Sequence, residues 1–359
     1  VSSLIRDRKP AAAILLAAAL ALSACGGDDA EGDAAPGMGD AAPAAPADRD
    51  TAPAGAVAAL DREVTGAVRV GGRILLRAGD AVLSGTAADP AARVVDVDPA
   101  CGRLAPAGDM AVLPCPDGIH VLAPDGSAAA LVGKGTAYTA AVGLGDGRII
   151  GHRAEGRRID VYGPRGELDD DFDVSRHGSQ LLAVPGAQDL VLEINVPETS
   201  IHEVELADSR SGSGLRAGLG IAGAAAGADG TIAAVDATGG QLLIYTATDV
   251  IRLHQAFPVP GGPWSVHVDD ARGLVWVGST GQSLLTAWDI SGGTGVEVAR
   301  LDAVRDPRAI AGDGDGGLMV YSGSGAGAQH LDRATVDRAL AAGAAEAEAE
   351  RATLSPDTR

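Results

Sequence analysis

The sequence predicts an all-β fold, a seven-bladed β-propeller of four-stranded antiparallel blades, with a disordered N-terminal tether and a short C-terminal helical tail. Three observations predict it. From Val57 onward, short β-type runs alternate with Gly, Asp and Pro turns, and no long helical period intervenes before the end of the chain. The first apolar residue after a tight turn recurs at Ile74, Val112, Ile149, Leu190, Ile232, Leu274 and Leu318, in steps of 38, 37, 41, 42, 42 and 44 residues. Each is followed by a second turn, a further strand and often a polar edge-type strand. One unit therefore holds about four strands in ~40 residues, the dimensions of a propeller blade. A lone blade cannot bury both faces. Radial packing buries each face on a neighbour, and ring closure hides the free edges.

The elements follow in chain order. Arg6, Arg8 and Lys9 form a basic region, "AAAILLAAALAL" (Ala11 to Leu22) an apolar one, and "LSAC" (Leu22 to Cys25) comes next. This is the layout of a secretory signal, and the apolar run falls short of the ~20 residues that span a bilayer. "LSACGG" resembles the lipobox of bacterial lipoproteins. That resemblance implies a signal peptide over 1–24, cleavage before Cys25, and a lipid on Cys25. The mature chain is then held on the outer face of the cytoplasmic membrane without crossing it. Residues 25–56 are small, acidic and proline-dotted, the composition of a disordered tether. The propeller is expected over 57–333. "VAALDREV" (Val57 to Val64) has no partner in the first blade and is expected to supply the outermost strand of the last. Residues 334–359, rich in Ala and Glu, are expected to form a peripheral helix or a frayed tail.

Cys101 and Cys115 are the two cysteines within the propeller. Outside the cytoplasm thiols oxidise, so the pair is expected to be a disulfide. Pairing them centres a hairpin on Gly108, with a three-residue turn Ala107-Gly108-Asp109. A two-residue turn would shift the register by one and separate them. A zinc clip that includes His120 lacks a fourth soft ligand.

"GGPWSVHVDDARGLVWVGSTGQSLLTAWDI" (Gly261 to Ile290) resembles the blades of YVTN-type and NHL-type propellers, and "RDPRAIAGDGDGGLMVY" (Arg305 to Tyr321) echoes it. The resemblance implies that the innermost strands line a central channel and that one mouth of it binds a ligand or partner. Aligning the inner strands places Tyr138, His177, Trp264 and Arg308 near their N-terminal ends, with Gln180 and His267 near or within the strands. These six residues are the candidate ligand-binding set.

Several function classes are disfavoured. A formal charge of −20 repels nucleic acid and anionic lipid surfaces. Lactonase-type propellers, similar in architecture, hold calcium with Glu, Asp and two Asn, whereas this chain has a single asparagine, Asn195. There is no G-x-S-x-G elbow, and three Trp with two Phe are a poor basis for stacking a quinone cofactor. The seven histidines are not paired at ligand spacing, and "GDGDGG" (Gly312 to Gly317) lacks the trailing glutamate and length of an EF-hand loop. The expectation is a monomeric, membrane-anchored, extracytoplasmic binding or scaffold module with no cofactor, no metal and no nucleic-acid partner. It would recognise a protein, peptide or small ligand at the channel mouth. The alternative is a metallochaperone or a solute-binding partner of a membrane transporter.

Overall fold

The structure is a computed structural model that describes residues 38–39, 41–48, 51–187 and 189–354, with side chains up to residue 345. Cys25 and the signal segment lie outside the described residues.

The first strand, β1, is Ala56–Ala58. Blade I is β2 (Gly66–Val70), β3 (Arg73–Ala78), β4 (Ala81–Gly85) and β5 (Arg93–Asp96). Blade II is β6 (Ala105–Ala107), β7 (Met110–Cys115), β8 (Gly118–Leu122) and β9 (Ala128–Val132). Blade III is β10 (Tyr138–Gly143), β11 (Ile149–Arg153), β12 (Arg158–Tyr162) and β13 (Leu168–Asp173). Blade IV is β14 (Gln180–Ala183), β15 (Leu190–Asn195), β16 (Ser200–Glu205) and β17 (Arg210–Arg216). Blade V is β18 (Ile221–Ala226), β19 (Thr231–Asp236), β20 (Gln241–Thr246) and β21 (Arg252–Pro258). Blade VI is β22 (Pro263–Asp269), β23 (Leu274–Ser279), β24 (Leu284–Asp289) and β25 (Val296–Asp302). Blade VII is β26 (Pro307–Gly312), β27 (Leu318–Ser322) and β28 (Ala328–Leu331), and α1 (Arg333–Leu354) follows. Each blade is a four-stranded antiparallel meander. The seven repeat residues read from the sequence all fall on second strands, because each begins the strand that leaves the tight turn closing the inner hairpin.

Blade VII is completed from the other end of the chain: β1 pairs with β28, Ala56 opposite His330 and Ala58 opposite Ala328. The closing strand is shorter than Val57–Val64. After Ala58 the chain turns inward, and Leu60 and Val64 bury against Leu76, Leu83 and Tyr321 between blades I and VII. The apolar cores sit between neighbouring blades around the whole ring. Leu75 and Val82 of blade I meet Ala111 and Leu113 of blade II, and Ile194 and Ile201 of blade IV meet Ile232 and Tyr245 of blade V. α1 begins beyond Asp332 and buries Val336 beside blades VI and VII. Among the described residues no helix is long and apolar enough to cross a membrane.

Part of the stretch expected to be a disordered tether rests on the propeller. The Gly39 amide donates to Leu219 O (2.8 Å), the Ala47 amide to Gly281 O (2.9 Å), and Arg305 Nη1 to Asp48 Oδ1 (2.9 Å). With few side chains able to pack, this segment adheres through backbone hydrogen bonds and the Asp48–Arg305 ion pair.

The disulfide Cys101–Cys115 is present, with Cα atoms 4.1 Å apart. Its hairpin corrects the expected turn. Ala107 pairs with Met110, so the turn is the two residues Gly108 and Asp109, and Gly108 takes a left-handed φ of 61°. This register alone would set Cys101 one residue off Cys115. The ladder slips by one before reaching them: Ala105 faces Val112, yet the Gly102 amide donates to Pro114 O at 2.7 Å. Cys101 and Cys115 then occupy a non-hydrogen-bonded pair, where antiparallel strands come closest.

Candidate functional site

Seven inner strands surround a cavity of about 400 Å³, to which every blade contributes: Ala67, Ala105, Ala141, Leu182, Ala225, Val266 and Ile310 all line it. The lumen exists because these strands carry small residues where a large one would fill it. A second, smaller compartment, about 140 Å³, lies toward the N-terminal ends of the inner strands and shares Ala67, Arg103, Gln180 and Ala224 with the first.

The slip seen in blade II recurs. The inner ladder shifts between Tyr138 and Ala140, Ile221 and Gly223, Pro263 and Ser265, and Pro307 and Ala309. The extra residues are Thr139, Ala222, Trp264 and Arg308, and in blade II the slip falls at Arg103-Leu104. A bulge of this kind re-aims a side chain. Trp264, Arg308 and Arg103 all line the smaller compartment. The Arg308 guanidinium lies over the Trp264 ring, 5.5 Å from its centroid, and its Nε donates to Asp306 Oδ1 at 2.5 Å.

Gln180 is in the lumen as well. Its Nε2 donates to Ala224 O (2.9 Å) and its Oε1 accepts from the Ala224 amide (3.3 Å), bridging blades IV and V. His267 is half-buried on the wall of the main cavity. Enclosure by the ring pushes its pKa down, against Asp269 and Asp270, so the imidazole is neutral at neutral pH.

Tyr138 and His177 are not in the lumen. Tyr138 precedes the bulge by one residue, and a one-residue displacement turns a strand side chain to the opposite face. It is buried in blade III, where its hydroxyl donates to Asp160 Oδ2 and lies 2.5 Å from the Tyr162 hydroxyl, while Arg153 Nε donates to Asp160 Oδ1 at 2.9 Å. Burial is the largest cause raising the Tyr138 pKa, so the phenol stays protonated. His177 is exposed, with its ring 6.1 Å from that of His152. His152 and Glu193 are both fully buried, with His152 Nε2 and Glu193 Oε2 3.5 Å apart. Neither carboxylate oxygen of Glu193 has a hydrogen-bond partner, and desolvation, then Glu198, pushes its pKa up to about 8.

Two lumen cations escaped the sequence reading. Arg69 and Arg103 line the main cavity, and among the described residues no Asp or Glu lines either compartment. Arg103 crosses the channel from blade II to blade V, its Nη2 donating to Ala222 O at 2.7 Å. More than a third of its surface is exposed, although protein crowds round it in both compartments. That enclosure lowers its pKa with no carboxylate opposing the shift, and a guanidinium stays charged even so. The signal for Arg103 was its place in the repeat, shared with Trp264 and Arg308. Blade II hides it by writing Cys-Gly-Arg where blades VI and VII write Pro-Trp and Pro-Arg.

Among the described residues, the ligand-type groups gathered closely enough to hold a metal are Cys115, Asp117 and His120. Cys115 Sγ is bonded to Cys101, and His120 Nε2 is 2.8 Å from Asp117 Oδ1.

The chain is thus a seven-bladed β-propeller with a polar, cation-bearing channel mouth. No protein-family model and no curated protein matches it. Solved structures share its fold. Hydrazine synthase of Kuenenia stuttgartiensis superposes with a TM-score of 0.62 at 12% identity, over 77% of this chain and 97% of that one. A streptogramin B lyase gives 0.57 at 14% identity, over 75% and 92%. The WD40 propeller domain of Doa1 gives 0.55 at 9%, over 76% and 94%. At these identities the likeness is one of fold.

Proposed function

We propose that this chain is a binding module with no chemistry of its own, which takes a small ligand into the central channel. A lipid on Cys25 would hold it at the outer face of the cytoplasmic membrane. The observation that carries the reading is the lumen: a cavity of about 400 Å³ with a largely apolar wall and a few convergent polar groups. This is the size and character of small-molecule sites. Residues 38–39 and 41–48 lie on loops at the N-terminal mouth, beside Leu219, Gly281 and Arg305. A metal-delivering role draws less support, because the one gathered ligand set uses a sulfur already in the disulfide.

The test is a thermal-shift screen of the full chain against a mixed panel of neutral, anionic and cationic small molecules, repeated with Ala225→Trp, which puts an indole in the lumen. A stabilising ligand lost in the variant supports the channel. A panel without a hit, or a hit that Ala225→Trp leaves unchanged, argues against it. Membrane fractionation of Cys25→Ala tests the anchor separately: release of the chain to the soluble fraction is expected.

A further inference from the structure

The lumen carries the opposite sign to the molecule around it. The chain has a formal charge of −20, yet the charged side chains on the walls of both compartments are Arg69, Arg103 and Arg308, without a carboxylate. They are not equivalent. Arg308 is neutralised by Asp306 and stacked on Trp264. Arg69 sits four residues further along its strand than Thr65, the residue of blade I at the mouth, which puts it about 13 Å deeper along the wall. Arg103 is at the mouth and has no ion pair among the described residues. Its hydrogen bond is to one backbone carbonyl, and the side chain lines both compartments. Gly223 makes room for it: a Cβ there would stand 2.8 Å from Arg103 Nη1.

A guanidinium held in a ring of protein without a counter-ion is costly unless an anion or water meets it. Its donors form a planar fork that matches a carboxylate. Next to it the wall is alanine and valine, which suits an apolar body. We propose that the channel takes a small organic monocarboxylate, with its carboxylate on Arg103 and its apolar body in the alanine-lined lumen. The acidic exterior fits this assignment. It repels polyanions more strongly than a small monoanion, and so favours a small anion as the ligand of the channel.

The proposal rests on the channel reading above, and its test separates the two. Calorimetric titration of the full chain is run with a series of short- and medium-chain carboxylates, the matching primary amides, and inorganic phosphate. Carboxylates are expected to bind, the amides at least about tenfold more weakly, as for loss of a charge-assisted hydrogen bond. Arg103→Gln should abolish the difference between acid and amide. Gly223→Ala, which displaces the Arg103 tip without removing its charge, should weaken carboxylate binding while the melting temperature holds. Equal binding of acid and amide, undiminished binding in Arg103→Gln, or binding of phosphate alone would overturn the carboxylate assignment and leave the channel reading intact. Carboxylate binding that survives Ala225→Trp would instead overturn both.

Discussion

Blades III and VI share one plan, including the slip near the start of the inner strand, but their polar side chains point to opposite sides of it. In blade VI the slipped residue is Trp264, which reaches the channel and meets Arg308. In blade III the slipped residue is the small Thr139, and the polar groups lie one position away or across the sheet, inside the protein. Tyr138, Asp160, Tyr162 and Arg153 satisfy one another there, and His152 lies against Glu193 of blade IV. A repeat position alone therefore does not define a functional group. The side of the strand on which it emerges decides whether it meets a ligand or another side chain.

If blade III is structural, its core should be fragile and functionally silent. Asp160→Ala removes the acceptor shared by Tyr138 and Arg153. It should cost about 3 kcal/mol, the low end for breaking a buried pair, because Arg153 is partly exposed and has Asp171 3.7 Å away. Urea denaturation measures this, and the ligand affinity of the folded fraction should not change. A loss of affinity at full stability would erase the contrast.

The staple of blade II ranks next. Replacing both Cys101 and Cys115 with Ser opens a loop of 14 residues' separation and should cost about 2–3 kcal/mol. Because the pair also fixes the approach to Arg103, anion binding should weaken with it. Arg77 Nη2, which donates to Asp98 O, Pro99 O and Cys101 O, holds the same segment independently and should limit that loss.

Glu193→Gln probes pH. Folded Glu193 keeps a proton that the unfolded chain releases above the ordinary carboxylate range, so stability falls as pH rises toward about 8. Burial lowers the His152 pKa, which has the opposite slope and acts below about pH 6.5. Glu198 and Arg176 act on Glu193 in opposite directions. The melting temperature should therefore decline between about pH 6.5 and 8 in the native chain and stay flat in Glu193→Gln. An unchanged slope would mean that the carboxyl is not protonated. The smallest effect is expected for Trp264→Ala. Its cation–π contact at the mouth contributes about 1 kcal/mol or less, and the half-buried ring also packs against the core between blades V and VI, so a destabilisation well beyond about 1 kcal/mol in urea denaturation would show that packing outweighs the contact with Arg308.

The blade count and the seven second strands are legible in the sequence because each inner hairpin closes on Gly or Asp and opens on an apolar run, a local pattern. The closing strand is legible because Val57 and its neighbours lack a local partner. Trp264 and Arg308 are legible at the mouth because blades VI and VII keep similar wording, and Gln180 is legible because it opens the inner strand of its own blade. What escapes is set by one-residue slips and by convergence across blades. The slip turns Tyr138 inward and brings Cys101 opposite Cys115 in spite of a two-residue turn. Arg103 acquires its importance only by crossing to Ala222, three blades away, and Glu193 only by meeting His152 one repeat earlier.

The pairing of β1 with β28 has a consequence for how the chain is made. A polypeptide emerging N-terminus first releases Ala56–Ala58 long before Ala328–Leu331, so the ring stays open until the strands of all seven blades have been made. During that interval, the edge of the newest blade and the unpaired leading strand both offer free backbone groups to other chains. The final contacts are the most distant in sequence, which makes closure the slow step of folding. Shortening the segment around Ala56 would remove few side-chain contacts, yet it would leave β28 as a permanent edge and favour assembly of chains into larger species over monomeric rings.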